Sequence, residues 1–582
     1  MSSKSGMGNL PWYKEAIIYE VHVRAFYDSN GDGVGDFQGL TQKLPYLAEL
    51  GVTALWLLPF YPSPLRDEGY DVADYKDVHP SYGSLDDFKE FLGAAHAMGL
   101  RVITELVLNH TSDRHQWFQR SRTAKPGTKW REFYVWNDTP ERYRGVRVIF
   151  SDFEKSNWAW DPVANAYYWH RFFSHQPDLN LDSQDVQEAL LDVVDFWFGL
   201  GVDGMRLDAV PYLFEREGTP CENLPETHEF LKKLRLHVDG KFKDKMLLAE
   251  ADQPPPEEVA YFGSGNECNM AFQFPLTLSL FEALELEDRS VIRSVYEETP
   301  PIPKNCQWAT FLRNHDQLSL EMLPEGQRDR MYLAYAKDEN CRLNRGIRRR
   351  LAPLLGNDRS KIELMNFLLF TLPGTPVLYY GDEIGMGDNC RLPDRGGVRT
   401  PMQWSSGLNA GFSVANPSRL YLPVISDPPY DCRTVNALSQ RHDESSLFEW
   451  TRRLIGTASR LPVLRTGRIQ FLEQPSTRVL SFIRFSRGEL VVAVASLSHR
   501  PEEVRVALDN HKGAIRTEIS RGIALEAFGR RSLRLSLGPH AYALYSMSRK
   551  PGPSSRPHGT STQGEGGIRH SRANKKRRGH KH

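Results

Sequence analysis

The 582-residue sequence predicts an α/β fold, a (β/α)8 TIM barrel, on three observations. Short apolar runs suited to buried strands recur at 17–22, 54–58, 101–107, 204–207, 246–249 and 309–312. Segments with helical spacing stand between them, as at 185–200, where Val186, Leu190, Val193, Val194 and Trp197 fall on one face. Acidic residues mark the points where three of the strands run out: Asp208, Glu250 and Asp316. Strand after helix in repetition argues a parallel barrel. Such a barrel gathers its reactive groups at the C-terminal ends of its strands.

The elements follow in chain order. Ile-Ile-Tyr-Glu-Val-His at 17–22 reads as the first strand, a helix runs over about 39–50, and strands follow at 54–58 and 101–107. From His110 to Pro177 the chain is rich in Trp, Tyr, Arg and Asp and lacks barrel periodicity, which predicts a lid domain over 111–177, inserted after the third strand. The barrel is then built from 1–110 and 178–460. Its last helix includes 447–455. Alternating segments at 479–485, 490–495 and 504–508 read as a small antiparallel β-sandwich over 461–548. The tail, 549–582, holds ten Lys and Arg against one acid and almost nothing apolar, and reads as a disordered basic tail outside catalysis. A second basic run, 342–350, reads as a loop surface after Asp316, placed where it could also cover the pocket mouth.

Composition sets bounds. The 73 basic and 73 acidic residues balance, so nothing marks a specific nucleic-acid binder. No run of about 18 apolar residues exists to span a membrane. The polar first ten residues do not read as a signal peptide. Six cysteines without a Cys-x-x-Cys read as structural thiols of a cytoplasmic protein rather than as a disulfide framework.

Three carboxylates converging in one pocket repel and desolvate one another, so one is driven toward its protonated form while another stays ionised. That is the equipment of a retaining glycosidase. Arg206 lies two residues before Asp208, so on a strand the two side chains share a face and a guanidinium can hold the carboxylate. His315 precedes Asp316 and would reach substrate hydroxyls.

Four stretches carry a family resemblance: Glu-Leu-Val-Leu-Asn-His at 105–110, Gly-Met-Arg-Leu-Asp-Ala at 204–209, Leu-Leu-Ala-Glu at 247–250 and Arg-Asn-His-Asp at 313–316. In that order and spacing the chain resembles the α-amylase superfamily of glycoside hydrolases and transglycosylases. The resemblance implies Asp208 as nucleophile, Glu250 as general acid/base and Asp316 as the residue that grips the sugar in the transition state. It implies substrate contacts from Asp71, His110, Gln176, Arg206 and His315. One departure is visible, Glu105 where most of the superfamily has Asp. Longer strings, among them 20–26, 106–113, 168–180, 211–216 and 373–389, are similar to the branch that interconverts the disaccharides maltose and trehalose. Gln-Pro-Asp-Leu-Asn at 176–180 and Val-Arg-Thr-Pro-Met-Gln-Trp at 398–404 are shared with oligo-1,6-glucosidases and α-glucosidases.

The same resemblance implies a structural Ca2+ held by Asn109, Asp178 and Glu215 with the backbone oxygens of Tyr212 and Leu213, and no organic cofactor. Asp28-x-Asn30-x-Asp32-Gly33 opens like an EF-hand loop but has Gly39 where the bidentate Glu belongs, so a second ion and a turn built on local Asx hydrogen bonds both stay open. Two rivals remain in view: an α-glucosidase that hydrolyses maltose, and a non-catalytic barrel of the transporter heavy-chain kind. The second is disfavoured because all three carboxylates are present. A homo-oligomer and a maltokinase partner stay open as expectations.

Overall fold

A computed structural model describes residues 10–548, apart from 487, 509–513 and 529–531. The basic tail expected over 549–582 lies outside the described residues. Eight parallel strands close into a barrel: β1 (Ile18–Val21), β2 (Ala54–Leu57), β3 (Arg101–Val107), β4 (Gly204–Asp208), β5 (Met246–Ala249), β6 (Met270–Phe272), β7 (Gln307–Phe311) and β8 (Thr375–Tyr379), in sequential order around the ring. Alternation sorts each strand's side chains. Ile18, Trp56, Ile103, Met246, Leu248, Phe272 and Phe311 pack inside the barrel, whereas Tyr19, Leu55, Val102, Met205, Leu207 and Leu247 join the larger core under the surrounding helices.

Local chemistry sets the helix ends. Asp36 caps Phe37–Leu50 by accepting from the Gly39 amide, and Gly51, at φ 94°, takes the left-handed conformation that closes it. Ser84 and Asp87 form a reciprocal capping box at the head of Leu85–Ala97. The helix read at 185–200 spans Gln184–Leu200, and the last barrel helix spans Leu447–Arg460. Two barrel strands went unread in the sequence. β6 has only three residues, and β8 carries Pro376 at its second position, where proline argues against a strand.

Between β3 and β4 the chain forms a helix, Gln116–Thr123, and a three-stranded antiparallel sheet of 136–137, 158–161 and 166–169. The bridge from His110 to Asp178 brings the two ends of this segment together. After the barrel come β9 (Arg468–Phe471), β10 (Val479–Phe485), β11 (Leu490–Ser496), β12 (Glu502–Ala507), β13 (Ala514–Phe528) and β14 (Ser532–Ser548). The 17-residue β14 pairs with β11 and β12 in its two halves and with β13 along its length, and the antiparallel layers enclose their own apolar cluster.

One expectation changes. Cys341 and Cys390 form a disulfide, so the reading of all six cysteines as free thiols is corrected; Cys221, Cys268, Cys306 and Cys432 are free. The bonded pair is 49 residues apart in sequence and meets because the loops after β7 and β8 lie side by side. The 28–36 loop is an Asx-turn structure. Asp28 accepts from the amides of Asn30, Gly31 and Gly33, Asn30 from Asp32, and Asp32 from Val34. Among the described residues no helix is long and apolar enough to cross a membrane.

Candidate active site

Register places the site. Glu105 on β3 pairs with Arg206 on β4, and Val107 with Asp208, so Glu105, Arg206 and Asp208 turn inward at the strands' C-terminal ends. Arg206 is fully buried and serves three carboxylates. Its Nη1 lies 2.5 Å from Asp208 Oδ1 and 2.9 Å from Glu105 Oε2, while Nη2 pairs with Glu250 Oε1. Glu250 also accepts from the amide of Ala209 at 3.1 Å. Ala209 adopts a left-handed φ of 52°, which turns the chain at the end of β4.

Asp316 stands opposite in a cationic cradle. Arg395 Nη1 and Arg399 Nη2 each lie 2.9 Å from Oδ1, and His315 Nε2 lies 3.0 Å from Oδ2. These surroundings separate the three acids. Burial lifts Asp208 to about 6 against the pull of Arg206. Burial, reinforced by Asp208 and Asp316, lifts Glu250 to about 7, again against Arg206. Burial acts the same way on Asp316, but His315, Arg395 and Arg399 outweigh it and hold this carboxylate well below the usual range.

Asp208, Glu250 and Asp316 line one cavity with His110, Asp67, Tyr70 and Arg395. His110 is neutral, burial and His175 lowering it to about 3, and its buried Nε2 has no protein partner. Arg206 and His315 sit behind the lining and act on it through the carboxylates. Asp71 is corrected. It is fully buried off the cavity, accepting from Ser63 and from the amides of Arg66 and Asp67, because it closes the loop after β2. The cavity carboxylate from that loop is Asp67, bound by Arg395. Gln176 is likewise one step back: its Nε2 donates to Asp67 Oδ2 at 2.8 Å.

The roof comes from distant segments. Arg147, Ile149, Phe150 and Phe172 of the inserted segment face the cavity together with Glu321 and Asn344, which follow β7. An Arg147–Glu321 ion pair at 2.7 Å joins the two, and Arg147 also bonds Glu222 and the Tyr212 hydroxyl. The basic run at 342–350 therefore belongs partly to the roof, and it is tied to the loop after β8 where Arg348 donates to the carbonyls of Leu392 and Cys390.

Beside His110, Asn109 Nδ2 lies 3.3 Å from His110 Nδ1, and Asp178 Oδ1 accepts from the amide of Arg171 at 3.0 Å. Asp178 Oδ2 is buried without a partner, and burial, with Asp178 adjoining, raises Glu215 well above the usual range. Among the described residues no three or more His, Cys, Asp and Glu are grouped to hold a metal, so this cluster offers two carboxylates and amide oxygens only.

A barrel whose strand ends present three electrostatically separated carboxylates under a roof of mixed apolar and charged side chains defines a glycoside-processing enzyme, and comparison agrees. The model of the alpha amylase catalytic domain matches residues 20–467 and that of the maltogenic amylase C-terminal domain 469–544; the chain belongs to the α-amylase family. It is 52% identical over 555 residues to the trehalose synthase/amylase TreS of Mycolicibacterium smegmatis, covering 93% of each chain. It is 51% identical to the trehalose synthase of Thermus thermophilus over 92% of this chain and 55% of that one. Among solved structures, the trehalulose synthase MutB of Pseudomonas mesoacidophila MX-45 superposes with a TM-score of 0.77 at 27% identity, over 93% of this chain and all of MutB.

Proposed function

We propose that the protein interconverts maltose and trehalose by a retaining double displacement. Glu250 protonates the glycosidic oxygen as Asp208 attacks the anomeric carbon, which releases glucose and leaves a covalent glucosyl-enzyme. The freed glucose stays in the closed cavity and reorients. Glu250, now a carboxylate, takes the proton of its anomeric hydroxyl, the oxygen attacks the glucosyl carbon, and Asp208 departs, giving an α,α-1,1 bond. Asp316, kept ionised by its cations, grips sugar hydroxyls as positive charge develops, with His110 and Asp67 on the same sugar. Water entering before the second attack gives glucose instead, a minor branch in this reading.

The observation that carries isomerisation over hydrolysis is the roof, where Arg147 and Glu321 join two segments over the carboxylates. The test is to incubate the purified protein with maltose and resolve the sugars over time. Trehalose accumulating ahead of glucose supports the proposal; glucose alone makes the protein an α-glucosidase with the same three acids.

Ca2+ completes the proposal. Asp178, with its unpartnered Oδ2, and Glu215 are buried carboxyls that a hard cation would hold ionised, and Asn109 with the backbone oxygens of Tyr212 and Leu213 adds the neutral oxygens calcium favours. When bound, the ion supplies structure and no reaction step, pinning the inserted segment to the barrel next to His110. The reaction itself needs no organic cofactor, since both displacements run on carboxylates alone.

A further inference from the structure

We propose that Glu20, at the end of the first barrel strand, is a positioning residue for the reaction: its carboxylate keeps His315 doubly protonated, and the imidazolium in turn orients Asp316. The inference rests on the role given above to Asp316. Glu20 is fully buried, on β1 between Trp56 of β2 and Tyr379 of β8. Its Oε1 accepts twice from one residue, from the His315 amide at 3.1 Å and from Nδ1 at 2.5 Å. Its Oε2 is buried without a partner. An ionised carboxylate taken out of water with one oxygen unpaired is costly unless a cation faces it. The group it faces is His315.

The other side of the ring fits a donor. Nε2 lies 3.0 Å from Asp316 Oδ2 and 2.7 Å from the Tyr70 hydroxyl, which itself lies 3.2 Å from Glu105 Oε1. With Tyr70 giving its proton to Glu105, its oxygen is left to accept from Nε2–H, so both Nε2 contacts call for a proton there. Nδ1 must carry one as well to bond Glu20. Two carboxylates, Glu20 and Asp316, thus clamp the imidazole end to end.

Every other neighbour bears on the same balance. Tyr70 stacks on the ring at 5.4 Å and Trp56 meets it edge-on at 5.7 Å, so the ring cannot swing. Glu105 adds negative charge from β3. His22 follows β1, is held neutral by burial and neighbouring cations, and adds no positive charge. Arg399 donates to the His315 carbonyl at 2.9 Å and meets Asp316, Arg395 reaches Asp316 from the same loop, and Arg313 and Asp382 lie near Glu20. Burial lowers the His315 pKa, but Asp316 and Glu20 overturn that and lift it to about 9. A glutamine could accept the Nδ1 hydrogen bond equally well; only a carboxylate also supplies the charge.

The test uses the full-length protein labelled with 15N-histidine, the His315 signal being assigned by its loss in His315→Gln. His315 is expected to be doubly protonated at pH 7.5 in the parent and, in Glu20→Gln, to titrate at least one pH unit lower. In that variant kcat for maltose is expected to fall at least tenfold with KM within about threefold, because Asp316 acts in the transition state. A neutral His315 in the parent at pH 7.5 overturns the inference without any variant. An unmoved titration in Glu20→Gln overturns it, and so does an unchanged kcat. Failure of the function is read separately: a charged, Glu20-dependent His315 in a protein that makes no trehalose leaves the clamp standing and removes the isomerisation.

Discussion

Arg206 reaches Asp208, Glu105 and Glu250 from two terminal nitrogens, so one guanidinium favours the ionised form of each and opposes the burial that raises Asp208 and Glu250. In the proposed reaction Asp208 must be ionised, and with its pKa raised to about 6 the activity is expected to fade as pH falls through 6. In the same proposal Glu250 must begin protonated, and with its pKa raised to about 7 the activity is expected to fade as pH rises through 7. The kcat/KM for maltose is expected to peak between these values, and Glu250→Gln to lose the basic limb together with about 10²–10⁴-fold of rate. A basic limb retained in Glu250→Gln would assign that proton elsewhere. Asp208→Asn is expected to lose on the order of 10⁴-fold or more of kcat for both isomerisation and hydrolysis. Appreciable turnover there would remove it as nucleophile. At this scale Asp208, Glu250, Asp316 and Arg206 were legible because each sits in a short strand-end motif whose geometry is local. Asp67 was not: Asp67 and Asp71 lie four residues apart in one loop, and only the fold decides which faces the cavity and which faces the backbone.

The inserted segment and the loop after β7 meet through Arg147 and Glu321, whose side chains are 32% and 19% exposed. Such a pair is worth about 1 kcal/mol at most, equivalent to roughly a fivefold change in the partition between glucose retained and water admitted. Glu321→Ala is therefore expected to raise the glucose-to-trehalose ratio about fivefold from maltose, read by chromatography; an unchanged ratio would take the water barrier away from this contact. The calcium reading belongs to the same scale, because it joins the inserted segment to the loop after β4. Chelation is expected to lower the melting temperature by several degrees and added calcium to restore it, with Asp178→Asn insensitive to both. A melting curve indifferent to chelator would leave Asp178 and Glu215 as a buried protonated pair. The insertion's position was legible from the lost periodicity after His110. The contacts of its inner face were not, because Arg147 and Glu321 lie far apart in the chain and nothing local pairs them.

At the scale of the whole molecule, the C-terminal sheet is fastened to the barrel by a buried polar knot. The Tyr542 hydroxyl accepts from Trp450 Nε1 at 2.7 Å and donates to Glu363 Oε2 at 2.6 Å, with Arg521 closing on the same carboxylate at 3.0 Å. Tyr542→Phe leaves an indole N–H unpaired and Glu363 short of a donor, a cost of about 1–3 kcal/mol. A melting temperature a few degrees lower with kcat unchanged is expected in scanning calorimetry; a loss of kcat instead would show that the sheet shapes the site. The barrel, its inserted segment and the antiparallel sheet were readable from the order of strands and helices. So was the gathering of Asp208, Glu250 and Asp316 at the strand ends, because hydrophobic periodicity and short motifs are properties of neighbouring residues. Tertiary structure alone decided that β6 and β8 close the ring, that Cys341 bonds Cys390, that Asp67 displaces Asp71 at the cavity, and that Glu20 clamps His315. Each of these joins groups distant in sequence or turns on the path of a loop, and closing the barrel is what brings them within bonding distance.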